Sequence, residues 1–387
     1  MNKYAVKKNS INNFLFYFAF IMYLFVTIIN ASFYAKYLPI DSIKYTMIFT
    51  IVLLIFKELL SKKSKFREWI YLLLILLLTY FVFRNLSGQF AILPLFIFIY
   101  SSRDVDLNNI MKIAYYESLS LFLIILVSSK LGIITNYIEY GGRIREYLGF
   151  RYSLYGSVLL FNITALDLYI HKEKTGLIRC IVWLLINIII FKLTDSRLAF
   201  YLSLLLITFS YIISNFNKAI EKEKIIKLLF CMSFIISSIF SIYTTFNFNP
   251  NISYYDQANE FLGNRLYYGN LAIHEYGVNL FGHDLVFRGN GLNIDGSRSI
   301  GTYNYVDCLY VMLLLRYGIV FLIIFIGILT ATCIYLYRKK EYYLLLLMAI
   351  LALHGIIDDL MIYLYYNTFW LVIGKMILNQ NKKIEEK

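Results

Sequence analysis

Long apolar runs alternate with short polar stretches along the whole chain, the pattern of a polytopic helical membrane protein. Twelve runs read as spans, near 11–32, 40–60, 69–83, 89–102, 113–130, 153–170, 180–195, 198–213, 225–244, 304–329, 342–357 and 360–378. The tenth is long enough to be bent or built in two pieces. Most polar stretches are short, as between antiparallel neighbouring helices. Two are longer: 132–152, rich in arginine, and 245–303, the extended polar region before the tenth span. Loops of that length in a compact protein usually carry function. The expected fold is one all-α membrane domain over 1–387. No repeat relates its halves, which weakens a transporter built by duplication.

Composition agrees with the pattern. The 387 residues are 60% hydrophobic, with a mean hydropathy of +0.65. The net charge of +13 therefore points to loops beside anionic lipid, and nothing resembles a nucleic-acid module. Basic stretches at 61–68, 171–179, 218–227 and 338–340 fall on the same side as both termini, so that side reads as cytoplasmic. Lys3, Lys7 and Lys8 precede the first run, which is too long for a signal peptide and reads as an uncleaved span. Cys180, Cys231, Cys308 and Cys333 are scattered, so helix-packed thiols are expected rather than disulfides or zinc ligands.

Charge sorting yields the sharpest signal. The 37 Lys and Arg divide into 20 Lys with 4 Arg on the cytoplasmic side and 9 Arg with 4 Lys on the other. Arginine presents a planar fork of donors that fits phosphate oxygens. The outer face thus reads as an anion grip, for a phosphate delivered by a lipid.

Four constellations carry candidate chemistry. Arg143, Arg145 and Arg151 cluster before the sixth span; snorkelling to headgroups accounts for one arginine at a helix end, but poorly for three. Thr194-Asp195-Ser196-Arg197 is a short turn in which Arg197 either pairs locally with Asp195 or reaches a phosphate. The large loop holds Arg265, His274, His283, Asp284, Arg288, Asp295 and Arg298. His283 suits proton transfer, and His274 reads as a solvated bystander. Asp307 and Tyr310 share a helical face at the start of span ten, with Arg316 following. Asp307 is either a helix-dipole carboxylate or a used one. Asp167 and Glu117 read as structural, while Asp358 and Asp359 fall at an outer span end. No spacing suits a metal cage, and no nucleotide or dinucleotide fingerprint is present, so no metal or cofactor is expected.

Together these stretches resemble the Wzy-type polysaccharide polymerases, which form one superfamily with the O-antigen ligases. Arg145-Glu146-Tyr147-Leu148-Gly149-Phe150 looks like that family's R-x-x-L-G-F, and Thr194-Asp195-Ser196-Arg197 like its T-x-S-R turn. Arg265-Leu266 with Asn279-Leu280-Phe281-Gly282 looks like its large-loop R…L-F-G stretch. Asp307-Cys308-Leu309-Tyr310 with Tyr317-Gly318-Ile319 looks like its [D/H]-N-x-Y…G-I segment, and Asp359, Tyr363 and Asn367 like its last-span pattern. The likeness covers roughly 140–370. Departures are Tyr152-Ser153-Leu154 where the family often has His-Pro-Asn, and Cys308 where it has Asn. Ligase-type members carry a histidine where this chain has Asp307, which favours a polymerase.

The resemblance implies a metal-independent glycosyltransferase of the bacterial cytoplasmic membrane with an extracytoplasmic site. It would polymerise polyprenyl-pyrophosphate-linked repeat units, beside membrane lipid and other polysaccharide assembly proteins. Arg145, Arg197 and Arg265, helped by Arg151, Arg288 and Arg316, would meet the leaving pyrophosphate. Asp307 or His283 would take the acceptor proton, and Tyr310 would stack on a sugar. A ligase of finished glycan and a flippase for the same lipid-linked sugars are the rival readings.

Overall fold

The computed structural model describes residues 3–61, 73, 92–140, 142–173, 175–222, 224–298 and 300–385. The expected third span, 69–83, lies almost wholly outside them, as do 89–91, the basic stretch 62–68, Gly141 and Lys174.

The described residues are mostly helical. In chain order the helices are α1 (Lys3–Asn30), α2 (Ser42–Leu60), α3 (Ile92–Ser101), α4 (Leu107–Lys130), α5 (Ser153–Ile170), α6 (Leu177–Thr194), α7 (Arg197–Lys222) and α8 (Lys224–Phe246). Then come α9 (Ser253–Phe261), α10 (Arg265–Tyr276), α11 (Leu309–Arg338), α12 (Tyr342–His354) and α13 (Val372–Glu385). A helix satisfies its own backbone polar groups, which an apolar run in lipid requires. Seven segments among the described residues are long and apolar enough to cross a membrane: Ile11–Asn30, Leu107–Lys130, Ser153–Ile170, Leu177–Thr194, Arg197–Asn215, Ile225–Phe246 and Leu309–Arg338. The chain is a helical membrane protein by this measure. A two-stranded ribbon, β1 (Ile138–Glu139) with β2 (Arg145–Glu146), folds the arginine-rich loop back on itself.

α5 is buried almost all round and forms the axis. It packs on α4, α6 and α7, while α8 packs on α11 and α12. Small polar pairs pin these contacts, as is usual where lipid gives no hydrophobic drive to association. Ser157 meets Thr194 at 3.0 Å, Asn187 donates to Thr164 at 3.2 Å, and Asn162 donates to Thr368 at 3.2 Å. Asp167, expected to be structural, accepts from Arg179 and from Trp183, each at 2.7 Å.

Two spans differ from the expectation. The expected tenth span, α11, starts at Leu309 rather than near 304 and runs to Arg338, broken at Gly318 (φ 85°, ψ 174°). The last run, expected as one helix over 360–378, is irregular until Val372, with 3₁₀ turns at Leu360–Ile362 and Thr368–Leu371. Side chains take over the backbone groups that a helix would have paired. Asp358 accepts from the Leu360 amide at 2.8 Å, Asn367 accepts from the Phe369 amide at 3.2 Å, and Trp370 donates to the Met361 carbonyl at 2.8 Å.

Candidate functional site

The long polar stretch 245–303 is not a free loop. It contains α9 and α10, and its segment 279–283 plugs the break in α11. At Gly318 the second half of α11 would expose unpaired amides. Ile319 and Val320 instead donate to the Asn279 and Leu280 carbonyls at 3.1 and 3.2 Å. The first half leaves a spare carbonyl on Leu315, which accepts from the His283 amide at 2.9 Å. A broken helix in an apolar setting persists only when its freed groups are satisfied in this way. A Cβ on Gly318 would strike the Leu280 carbonyl, so the interlock needs glycine there in both space and φ.

This plug and the short α9 position Arg265, the first residue of α10. Its Nε donates to the Ile357 carbonyl at 2.8 Å, and Nη1 to the Leu262 and Gly263 carbonyls at 3.0 and 3.2 Å. That leaves Nη2 facing Oδ2 of Asp307 at 3.7 Å. The same oxygen accepts from the Tyr303 hydroxyl at 2.6 Å. Both partners are mostly enclosed, with side chains 18% and 17% exposed. Burial raises the Asp307 pKa, while Arg265 and Tyr303 pull it back and Asp358 adds to the rise. Burial lowers Arg265, but the negative charge of Asp307 leads a set of neighbours that outweighs it, so the guanidinium titrates above its ordinary value.

Beside this pair lies a floor of acids. Asp359 accepts from the Tyr305 hydroxyl at 2.7 Å. Burial, then the charges of Asp358 and Asp307, push its carboxyl up to about 8.

The remaining cations arrive from two other segments. Asp195 sits between Arg143 and Arg197, 3.5 Å from the Nε of each. Burial lowers the Arg143 pKa, followed by the positive charge of Arg197; Asp195 opposes this, and Arg145 and Arg265 add to it. Arg143 therefore lies within the field of three other guanidinium groups, Arg145 of the same loop, Arg197 of the α6–α7 turn and Arg265 of α10. Arg145, on β2, has its Nε buried without a hydrogen-bond partner among the described residues.

Other expected residues are placed elsewhere. Arg151 donates to the Asn30 and Leu292 carbonyls, at 2.9 and 3.5 Å, and ties three segments together. The Arg288 side chain covers Gly301, and its backbone pairs with Asn304. Arg316 is buried over the Phe287 ring, 5.3 Å from its centroid, on the Asp359 side of the site. Tyr310, expected to meet a sugar, is fully buried, and its hydroxyl donates to the Ala352 carbonyl at 2.7 Å. Its face of α11 turns into the bundle, which leaves it no free ring. His283 lies by the break in α11, with Nε2 buried, and no hydrogen bond or ion pair joins it to Asp307 or Arg265 among the described residues. Of the two expected bases, Asp307 is the one placed among the arginines. His274 ends α10 on its exposed side.

Arg143 was read from sequence within the arginine cluster before the sixth span, whereas Tyr303 and the pairing of Asp358 with Asp359 were not singled out as site residues. Among the described residues, no group of three or more His, Cys, Asp or Glu is placed to hold a metal ion. An uncharged cavity of about 660 Å³ lies between α8 and α11, lined by residues such as Ile239, Phe246, Ile323 and Gly327.

Fold and site define a helical membrane protein with an arginine-rich centre around an enclosed carboxylate. No protein-family model, curated protein or solved structure matches the chain.

Proposed function

We propose that this protein is a membrane glycosyltransferase that polymerises lipid-linked oligosaccharide repeat units, resembling the Wzy-type polymerases. One observation supports the reading: Arg265 faces the enclosed Asp307, and Arg143, held with Arg197 by Asp195, feels the charges of Arg145, Arg197 and Arg265. The arginines receive the pyrophosphate of a polyprenyl-linked donor. Because their charges are fixed before reaction, they favour the state in which negative charge develops on the leaving group. Asp307, held between Arg265 and Tyr303, takes the proton of an acceptor hydroxyl on the incoming repeat unit. A raised pKa suits a carboxylate to that task, since a stronger base accepts the proton more readily. The acceptor oxygen bonds the anomeric carbon as the bond to pyrophosphate breaks, and the leaving group carries off the electron pair. The apolar cavity between α8 and α11 suits the lipid tail, because α10 links that corner to the site through Asn270 and the Thr245 carbonyl.

In this reading the site faces the outer leaflet of a bacterial cytoplasmic membrane, since the arginines lie opposite the lysine-rich loops. The test is direct. Purified protein is given a lipid-linked repeat unit, and the products are sized. A ladder supports polymerisation. A single transfer to a foreign acceptor assigns the same donor site to a ligase, and movement of substrate without bond formation refutes the transferase.

A further inference from the structure

Among the buried titratable residues that the proposed mechanism leaves unused, His354 stands beside the acids of the site without a hydrogen bond. His354 ends α12 with 1% of its surface exposed, and neither ring nitrogen has a hydrogen-bond partner. Its Nε2 faces Oδ2 of Asp358 at 3.7 Å, and that oxygen is also buried without a hydrogen bond. On its other side the imidazole meets the Phe161 ring edge-on, with centroids 5.5 Å apart. Burying polar nitrogens without partners is costly. If packing were the whole role, a phenyl ring would serve it at lower cost.

The end of α12 is stitched to the start of α11. The Leu309 amide donates to the Gly355 carbonyl at 2.9 Å, the Cys308 thiol donates to the same carbonyl at 3.6 Å, and Tyr310 donates to Ala352. These bonds bring the segment that carries Asp307, just before α11, against the segment that follows α12 and carries Asp358. The two carboxyls lie in each other's field, and Asp359 adjoins both. Titratable groups therefore run inward from Tyr303 and Asp307, across Asp358, to His354. Arg265 faces Asp307 and lies in the field of Asp358, and Arg316 lies in the field of Asp359. On His354 itself the structure places Asp358 and the Phe161 ring.

We propose that His354 is a positioning residue for the proton that glycan transfer releases, holding it behind the site through Asp358. The inference rests on the transferase reading above. The acceptor O–H bond breaks and its proton goes to Asp307. The oxygen bonds the anomeric carbon, and the pyrophosphate leaves with the electron pair of the broken bond. The proton then passes to Asp358, directly or through one water, and on to Nε2 of His354. It returns by the same route to solvent after the diphosphate departs. Asp307 is thereby an anion again while the next acceptor binds.

The test compares wild type with His354→Phe, His354→Gln and Asp358→Asn, measuring initial rates against pH and donor concentration. His354→Phe keeps a ring against Phe161 but carries no proton. It is expected to lower the maximal rate about tenfold or more with the half-saturating donor concentration unchanged, and to remove one limb of the pH–rate profile. His354→Gln, which keeps a polar group of similar reach, and Asp358→Asn are expected to show the same profile. The His354→Phe, Asp358→Asn double variant should be no slower than either single one, because both act on one path. If His354→Phe misfolds, His354→Gln carries the test. Wild-type rates and pH dependence in a folded variant of either kind would reduce His354 to packing and overturn the inference alone. A wild type that forms no glycosidic bond overturns the transferase reading, and this inference with it.

Discussion

Replacing Arg265 by lysine separates charge from geometry. The arginine is fixed by three bonds to main-chain carbonyls, of Ile357, Leu262 and Gly263, and only then presents Nη2 to Asp307. A lysine keeps the positive charge but concentrates its donors on one nitrogen, which cannot meet Ile357 and Leu262 and still face Asp307. At least two bonds are lost. A hydrogen bond to a charged donor contributes about 1.5–3 kcal/mol, so the loss is about 3–6 kcal/mol. The side chain is 18% exposed, so water replaces little of this. Arg265→Lys should therefore melt several degrees below wild type in detergent. It should also lose about 100-fold or more in polymer-forming rate, the scale for removing one donor from a preorganised anion site. Melting is followed by intrinsic fluorescence, and rate by the product ladder from a lipid-linked repeat unit. Full rescue by lysine in both assays would refute the claim that the orientation of this guanidinium, rather than its charge, makes the site.

Three further outcomes are expected. Gly318→Ala forces a side chain onto the Leu280 carbonyl at positive φ, and should cost about 3 kcal/mol or more; a wild-type gel-filtration profile and melting temperature would contradict the plug. Asp359 has its carboxyl raised by burial from 3.8 to about 8, so the fold favours its neutral form. Wild-type stability should then fall as pH rises between those values, and the advantage of Asp359→Asn should grow through that window and level off above it, reaching a few kcal/mol; parallel melting curves from pH 4 to 9 would exclude it. Product formation should persist in excess chelator, and loss on EDTA that a divalent ion restores would replace the arginine account with a metal-assisted one.

The helical membrane class was legible because apolar runs of spanning length have few other uses. The two-piece character of the tenth span was also legible, from its length. The site's floor was not. The run 360–378 is apolar enough to read as a helix, and what undoes it is pairing by Asp358, Asn367 and Trp370 with particular backbone groups nearby in the fold. Arg151 shows the same limit. It lies in an arginine-rich motif, yet its partners Asn30 and Leu292 are 121 and 141 residues away along the chain. Tyr310 shares a helical face with Asp307 by spacing, but the chain leaves helical geometry before Leu309, so the two do not face the same space. Two stretches quoted separately from sequence, Asn279–Gly282 and Tyr317–Ile319, prove to be halves of one interlock. Backbone pairing between distant segments leaves no periodicity to read.

The charge balance of the centre bears on the donor proposed for it. Arg265 is matched by Asp307, with Asp358 close behind. Arg143 and Arg197 share Asp195, while Glu146, next to Arg145, bonds Lys130 and Glu139 bonds Arg298. Among the described residues, Arg143, Arg145 and Arg197 have one carboxylate in ion-pair contact, which leaves two of these positive charges without one. Bringing like charges together destabilises the empty fold, and a chain that keeps them does so for an anion of comparable charge. A pyrophosphate diester is a dianion, whereas a single phosphate diester matches half the excess. On the proposed transferase reading Asp195 would set how firmly the product is held, because neutralising it raises the excess to three. Asp195→Asn should bind the released lipid diphosphate more tightly and slow turnover by retaining it, with the effect shrinking as salt rises, because the arginines of this turn are partly exposed. Weaker diphosphate binding in this variant would show that Asp195 orients the arginines rather than tempering their charge.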